Sequence, residues 1–334
     1  MPLDIAKKRI IMIHGLASKP PQEDLDDLWS KCVIESIRVD DKEMAAQLEL
    51  QPETFLSGYW ANAVPHHIED DKGYVKKLGK QVELVIKERK TTKDKFHVGR
   101  GEKIGAFFKN RGADIVKVLA GALTVQDNVM KNFLHETKLY DDDQYIADKI
   151  RRPLEDALRQ AWDDGCDVAL LSHSMGTFIS YDVLWRFSHR SEPEFRRYRR
   201  KRVQMYVTMG SPLGDETVRD LLFAKHHQKS GPGAKREYPT NIDRWHNYAC
   251  LGDVVAHKTD YEEYFFDRMR EVGVLDQTPK HRAIDYTSLH NPFEVVSHKG
   301  NKGREKRNPH KSYGYLVQPR LSTWLVDFLR GKLK

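Results

Sequence analysis

The sequence predicts an α/β fold, with a mostly parallel sheet flanked by helices and a large helical insertion. Short apolar runs rich in β-branched residues, such as "KRIIMI" at Lys8–Ile13, lack polar alternation, which is typical of strands buried on both faces. Segments with apolar residues at helical spacing alternate with these runs. Because strands that alternate with helices form parallel sheets covered on both sides, these two observations together predict the fold class.

The N-terminal half supplies two of the strands and most of the helical sequence. The predicted elements are a strand at Lys8–Ile13, a helix at 25–37, a strand at 55–60, an interrupted helical pattern from about 73 to 133, and a helix at 145–162. Asp164-Gly165 ends the last of these helices.

The C-terminal half supplies the remaining strands and two further helices. The predicted elements are a strand at 166–171, a helix at 177–187, strands at 203–209 and Trp245–Cys250, and a helix at Pro319–Leu329. Small or polar residues follow the strands directly: His14-Gly15, Ser172-His173-Ser174, Gly210-Ser211 and Gly252-Asp253. Since ligands of parallel sheets bind beyond the carboxyl ends of the strands, we expect the functional site there.

Length and composition place the chain among globular proteins. The 334 residues fit a single elaborated domain, 1–334, and no apolar run reaches the length of a membrane span. The N-terminus lacks the features of a signal peptide, and the three cysteines are far apart with no CxxC pair. We therefore expect a cytoplasmic protein.

The net charge of +7 is concentrated in two basic clusters, "FRRYRRKR" at 195–202 and "HKGNKGREKRNPHK" at 298–311. Such clusters favour contact with an anionic membrane surface or an acidic substrate, whereas solvated helix faces and loops are the alternative interpretation. Nucleic acid is not the partner that we expect. The sequence does not determine the oligomeric state.

Ser174 lies in the stretch "LLSHSMGT", where a buried strand changes abruptly into a helix. A sharp strand-turn-helix would expose its hydroxyl above the sheet, provided that the residues two before and two after are small; here they are Ser172 and Gly176. A serine nucleophile needs an imidazole base, which in turn needs a carboxylate. The oxyanion needs two N–H donors, which we expect from Met175 and from either Leu16 or Gly15.

At this point the sequence resembles the α/β-hydrolase superfamily, and within it the lipase- and esterase-like serine hydrolases. The resemblance is carried by "IIMIHGL", "LLSHSMGT", "VTMGSPLG", "NYACLGDVV" and "HKSYGYLVQPRLSTWLVDFL", which are spread from about residue 9 to 330. The first glycine of the usual nucleophile motif is replaced by Ser172.

The resemblance implies a catalytic triad of Ser174, Asp253 and His310. Asp253 follows a late strand, and His310 precedes an aromatic residue and the C-terminal helix. Asp215 is an alternative acid, with Asp243 and Asp260 weaker candidates, and His290 and His298 are alternative bases. We expect His14 to be structural and His173 to pack or hydrogen-bond behind the turn.

The segment from about 73 to 135 has no counterpart in this resemblance. Its "ADIVKVLAGALTV" stretch is a candidate lid or cap helix over the site, or alternatively an element packed on the core or in a dimer interface. It separates the first strand from the nucleophile by far more than a short βα connection requires.

The sequence therefore predicts a serine hydrolase that cleaves a small-molecule or lipid ester through an acyl-enzyme. We expect no organic cofactor and no metal, because the histidine spacings match no metal motif. The alternative is a non-catalytic or regulatory protein of the same fold that binds an acidic partner, nucleic acid or anionic membrane, through its basic loops.

Overall fold

The structure, a computed structural model, describes residues 5–16, 19–64, 68–69, 71–89, 97–98, 140, 143–227, 235–250, 252–253, 255–256, 261–275, 283–289 and 309–333. Seven strands lie within these ranges and form one sheet: β1 Lys8–Ile13, β2 Phe55–Ser57, β3 His97–Val98, β4 Asp167–His173, β5 Met205–Met209, β6 Trp245–Cys250 and β7 Ala283–Leu289. The α-helices of five residues or more are α1 Gln22–Asp40, α2 Lys42–Leu50, α3 Lys72–Arg89, α4 Gln144–Asp163, α5 Met175–His189, α6 Glu216–His227, α7 Ser312–Leu316 and α8 Pro319–Leu329.

The strands are arranged in the order β2-β1-β4-β5-β6-β7-β3. The first six in this order pair in parallel, and the two-residue β3 pairs antiparallel with β7 at the edge. The predicted α/β arrangement with a mostly parallel sheet is thus confirmed. All carboxyl ends of the parallel strands lie at one edge, where the residues that follow β1, β4, β5 and β6 can meet.

Both faces of the sheet are buried under helices. In β4, Val168 and Leu170 belong to the core that α4 and α5 cover, whereas Ala169 and Leu171 belong to the core that α1 and α8 cover. Burial on both faces explains why β1 and the middle of β4 are apolar without alternation.

Most predicted elements are found, some with shifted ends. The bounds of β1, β6 and α8 match the sequence prediction, whereas the strand predicted at 55–60 ends at Ser57 and β4 continues to His173. The strand β7 was not predicted from the sequence, because polar residues such as Asp285 interrupt its apolar pattern. Its buried Asp285 accepts a hydrogen bond from Nδ2 of Asn247 on β6, at 2.9 Å, so a cross-strand partner stabilises a polar residue within the sheet.

The beginning of the predicted insertion is the helix α3. Its apolar face, Leu78, Val82 and Val85, is buried in the core with α1, and Arg89 donates to Asp40 and Ser36 of α1, at 2.6 and 3.0 Å. This part of the insertion therefore packs on the body of the protein. The stretch "ADIVKVLAGALTV" and its candidate lid function lie outside the described residues.

Two observations concern the compartment predicted from sequence. Among the described helices, none combines the length and the apolarity that crossing a bilayer requires. Cys32, Cys166 and Cys250 are buried free thiols.

Candidate active site

Ser174 occupies a sharp turn between β4 and α5. Its φ and ψ angles are 54° and −126°, and it is the only non-glycine residue with positive φ in the described parts of the chain. Such a conformation costs about 1–3 kcal/mol and is found mainly at functional sites.

Close packing around this turn requires small residues. A Cβ atom on Gly176 would lie 2.7 Å from the carbonyl oxygens of both Ile13 and His14, and a Cβ on Gly15 would lie 2.4 Å from Cβ of Ser174. The end of β1 and the turn at Ser174 are therefore in contact through two glycines. The sequence prediction of a small residue at position 176 has this steric reason.

His310 connects Ser174 to Asp253. Its Nε2 lies 2.9 Å from Oγ of Ser174, and its Nδ1 lies 2.9 and 3.0 Å from the two carboxylate oxygens of Asp253. Because a carboxylate only accepts, Nδ1 carries the proton and Nε2 is free to accept the serine proton. The structure thus brings together the three residues that the resemblance implied.

Asp253 is buried and held by several donors. Its Oδ1 accepts hydrogen bonds from the backbone N–H of Val255 and Ala256, at 2.9 and 3.3 Å, and its Oδ2 accepts from the hydroxyl of Tyr315 at 2.6 Å. Burial alone would raise the pKa of Asp253, but the charge of His310 and these hydrogen bonds outweigh it and lower the pKa to about 2. Asp253 is therefore ionised at neutral pH.

Tyr315 links the acid to the end of its strand. Its hydroxyl donates to Asp253 and accepts the backbone N–H of Cys250, the last residue of β6, at 3.0 Å. Burial, together with the charge of Asp253, raises the pKa of this phenol well above its usual value. Sequence reasoning noted the aromatic residues after His310 but assigned no role to Tyr315, because its contact with Asp253 joins residues that are 62 positions apart in the chain.

His173 holds the backbone of His310. Its Nε2 lies 2.7 Å from the carbonyl oxygen of His310, so Nε2 carries the proton and donates. Burial, and then the charge of His310, lower the pKa of His173 to about 3, which keeps the ring neutral. The prediction that His173 packs behind the turn is refined: it anchors the loop that carries His310.

A chain of buried hydroxyl groups supports the turn at Ser174. Oγ1 of Thr177 donates to the carbonyl oxygen of Ser174 at 2.7 Å and lies 2.7 Å from Oγ of Ser211. The hydroxyl of Tyr261 donates in turn to Ser211. These contacts join the turn to the residues after β5. Sequence reasoning missed Thr177 and Tyr261, because Thr177 is 34 positions from Ser211 in the chain and Tyr261 is 50 positions from it.

His14 fixes the loop expected to supply an oxyanion donor. Its Nδ1 donates to the carbonyl oxygen of Gly15 at 2.9 Å, and its Nε2 accepts from the backbone N–H of Trp60 at 3.1 Å. The ring also stacks on Trp60, with centroids 4.8 Å apart. The two hydrogen bonds use both ring nitrogens of His14, as expected of a structural residue.

Two of the three candidate oxyanion residues, Gly15 and Met175, lie beside Ser174, and Leu16 follows Gly15 in the chain. Gly15 contacts Ser174, as described above, and the carbonyl of Leu16 accepts a hydrogen bond from Nζ of Lys19. Met175 is the first residue of α5, where the positive end of the helix dipole lies. Burial, and then the charge of Lys311, lower the pKa of Lys19 to about 7.

The alternative acids and bases are located elsewhere. Oδ1 of Asp215 accepts the backbone N–H of Thr217 at 2.9 Å, and Asp243 is paired with Arg202. Both carboxylates therefore have structural partners away from His310. Asp260, His290 and His298 lie outside the described residues.

Comparison with known proteins gave no further indication of the class. No protein-family model, curated protein or solved structure matched the chain. The indication of function comes from the site itself. A strained serine is hydrogen-bonded there to a histidine–aspartate pair at the carboxyl ends of a parallel sheet.

Proposed function

We propose that the protein is a serine hydrolase of the α/β-hydrolase type that cleaves carboxylic esters through an acyl-enzyme. The observation that carries the proposal is the position of His310, which lies within hydrogen-bond distance of both Ser174 and Asp253. The same three residue types in the same geometry perform acyl transfer on several unrelated folds. A lipid or other small-molecule ester is the proposed substrate class.

The first half of the reaction acylates the serine. His310 Nε2 takes the hydroxyl proton as Ser174 Oγ attacks the ester carbonyl carbon, and the carbonyl oxygen becomes an oxyanion. The N–H groups of Met175 and of Leu16 or Gly15 stabilise this charge. The tetrahedral intermediate then expels the alcohol, which receives the proton from His310.

The second half releases the acid. A water molecule gives a proton to His310 Nε2 and attacks the acyl carbon, and collapse of the second intermediate returns the proton to Ser174. Asp253 stays ionised throughout and stabilises the imidazolium, in keeping with its low pKa. The strained turn holds Ser174 in place for both attacks.

Hydrolysis of p-nitrophenyl esters of graded acyl length tests this proposal. We expect a burst of p-nitrophenol equal to the enzyme concentration, followed by a slower steady rate, and neither phase in Ser174→Ala. Turnover that persists in Ser174→Ala at full rate would contradict the proposal. The dependence on acyl length would separate lipid esters from short acyl esters.

The alternative, a non-catalytic protein that binds an acidic partner, has weaker support. In the basic cluster at 195–202, Arg197 is paired with Asp163 at 2.7 Å, and Arg202 is paired with Asp243. Nζ of Lys201 donates to the carbonyl of Trp162 at 2.9 Å. These three cations already have partners within the protein. Most of the second cluster, 298–311, lies outside the described residues, so its contact with an acidic partner stays a prediction. The cytoplasmic location also stays a prediction.

A further inference from the structure

Three buried hydroxyl groups, those of Tyr261, Ser211 and Thr177, form a hydrogen-bonded chain that ends on the carbonyl group of Ser174. The hydroxyl of Tyr261 donates to Oγ of Ser211, which lies 2.7 Å from Oγ1 of Thr177. Oγ1 of Thr177 donates to the carbonyl oxygen of Ser174 at 2.7 Å. The proposed acyl transfer uses the hydroxyl of Ser174 and none of these three, so the reaction steps do not account for this hydroxyl chain.

The protons of the hydroxyl chain can take only one order. Thr177 gives its proton to Ser174, so the bond between Thr177 and Ser211 uses the proton of Ser211. The two lone pairs of Ser211 Oγ then accept from Tyr261 and from the backbone N–H of Leu213, the latter at 3.3 Å. Every hydroxyl therefore donates in the direction of Ser174. Hydrogen bonds aligned in this way strengthen one another.

The hydroxyl chain connects three segments at the carboxyl edge of the sheet. Thr177 lies in the first turn of α5, Ser211 follows β5, and Tyr261 follows β6. The exposed fractions of the three residues are 0%, 1% and 0%. The ring of Tyr261 also packs edge-on against Trp245 of β6, with centroids 5.8 Å apart. Because a lost partner at this depth is not replaced by bulk water, each bond of the chain constrains the next residue.

The carbonyl group that receives the chain belongs to the same peptide group as the N–H of Met175. This peptide bond is trans, so the C=O of Ser174 and the N–H of Met175 point in opposite directions within one rigid plane. The carbonyl oxygen of Ser174 also accepts the backbone N–H of Thr177 at 2.9 Å. Two donors on one carbonyl oxygen fix the plane and polarise the peptide group, which makes the opposite N–H a stronger donor.

We propose that Thr177, Ser211 and Tyr261 are positioning residues that hold and polarise the peptide group between Ser174 and Met175, so that the N–H of Met175 stabilises the oxyanion. The inference rests on the proposed function, in which this N–H is one of the two oxyanion donors. The three hydroxyl groups act from the carbonyl side of the peptide and not by contact with the reacting oxygen. Their effect falls on the transition state, because the charge on that oxygen develops only there.

Steady-state hydrolysis of a p-nitrophenyl ester tests the proposal. Thr177→Val nearly keeps the shape of the side chain and removes the hydroxyl, so kcat should fall about tenfold with KM unchanged. Thr177→Ser retains the hydroxyl and should keep the wild-type kcat. Ser188→Ala serves as the control, because Ser188 is a buried hydroxyl in the last turn of the same helix and donates to the carbonyl of Leu184 at 2.9 Å. Its kcat should equal that of the wild type.

A double-mutant cycle separates a connected chain from independent contacts. Tyr261→Phe should lower kcat about threefold, a smaller effect than that of Thr177→Val, because it acts through two intervening bonds. In Thr177→Val the connection to Ser174 is already lost, so adding Tyr261→Phe should lower kcat no further. Circular dichroism verifies the folding of each variant, and Ser211→Ala replaces Thr177→Val in the cycle if the valine variant is unfolded.

Inhibition by a trifluoromethyl ketone measures the stabilisation of the oxyanion separately from turnover. Oγ of Ser174 adds to the ketone carbon, the hydroxyl proton passes to His310, and the ketone oxygen becomes an oxyanion. The inhibition constant of Thr177→Val should therefore rise by the same factor by which kcat/KM falls.

Given Ser174-dependent turnover by the wild type, three results would overturn this inference and leave the proposed function standing. They are a wild-type kcat in Thr177→Val, an unchanged inhibition constant in that variant, and additive effects of Thr177→Val and Tyr261→Phe. A wild type without Ser174-dependent turnover would overturn the proposed function, and this inference with it.

Discussion

The hydroxyl of Tyr315 lies 2.6 Å from Oδ2 of Asp253, the same oxygen that faces Nδ1 of His310 at 2.9 Å. The phenol therefore stabilises the charged form of the acid and fixes the direction of its carboxylate. Tyr315 touches no reacting atom in the proposed mechanism, so it acts as a positioning residue.

Tyr315→Phe should lower kcat by roughly tenfold, because one hydrogen bond to a charged group is lost while the ring is kept. KM should change little. The kcat–pH profile supplies a readout that a purely structural role would not move: its acid limb should shift as the Asp253–His310 pair changes. An unchanged kcat with an unchanged profile would contradict the positioning role.

Asp253→Asn should lower kcat by about 10³–10⁴-fold, since an amide no longer holds the imidazole in the required tautomer or stabilises its charge. The matched control is Asp215→Asn, which alters the other candidate acid, in the connection between β5 and α6. Its carboxylate contacts Thr217 and not His310, so near-wild-type kcat is expected. Steady-state ester hydrolysis measures kcat for both variants. A larger loss of kcat in Asp215→Asn than in Asp253→Asn would assign the role of the acid to Asp215.

Gly176→Ala should destabilise the fold by about 2 kcal/mol or more, because the new methyl group would lie 2.7 Å from two backbone oxygens that cannot move independently. Gly79→Ala is the matched control. Gly79 lies within α3 with nothing within 4 Å of an added Cβ, so the substitution should stabilise the helix by about 0.5–1 kcal/mol. Urea unfolding of the two variants measures the contrast. Equal stabilities would mean that the contact between β1 and the turn is looser than described.

His173 should make the stability of the fold dependent on pH. Its pKa is about 3 in the folded protein, against an ordinary value of 6.5 in the unfolded chain. Between these values the unfolded state binds more protons, so the free energy of unfolding should fall as the pH falls from about 6.5 towards 3.

His173→Gln removes this titration while keeping an N–H donor for the carbonyl of His310. The difference in unfolding free energy between wild type and variant should therefore shrink on acidification, by roughly 3–5 kcal/mol over the full interval. Urea unfolding at pH 7, 5 and 4 measures it. A difference that is constant with pH would show that His173 is not a buried neutral imidazole.

The fold could be predicted where local sequence decides it. The strand β1 and the helix α8 have regular apolar patterns, and their bounds, like those of β6, were predicted correctly. The strand β7 was missed because Asp285 interrupts its apolar pattern. Its partner, Asn247, lies 38 positions away in the chain, which no local pattern reveals.

Only part of the site could be predicted from local sequence. Ser174 could be found because a strand, a turn and a helix meet within a few residues. Asp253 and His310 were proposed from resemblance, and the structure brings them to Ser174. Tyr315 lies 62 residues from the Asp253 that it contacts, and Tyr261 lies 50 residues from Ser211, so their roles depend on tertiary packing alone.

Labelling with a fluorophosphonate probe tests the central claim most directly, because the probe reacts only with a serine that a neighbouring base activates. Wild type, Ser174→Ala, His310→Ala and Asp253→Ala are compared at verified folding. We predict stoichiometric labelling of the wild type, none of Ser174→Ala, and sharply reduced rates in the other two. A well-folded wild type that remains unlabelled, or labelling that persists in Ser174→Ala, would contradict the assignment of Ser174 as an activated nucleophile.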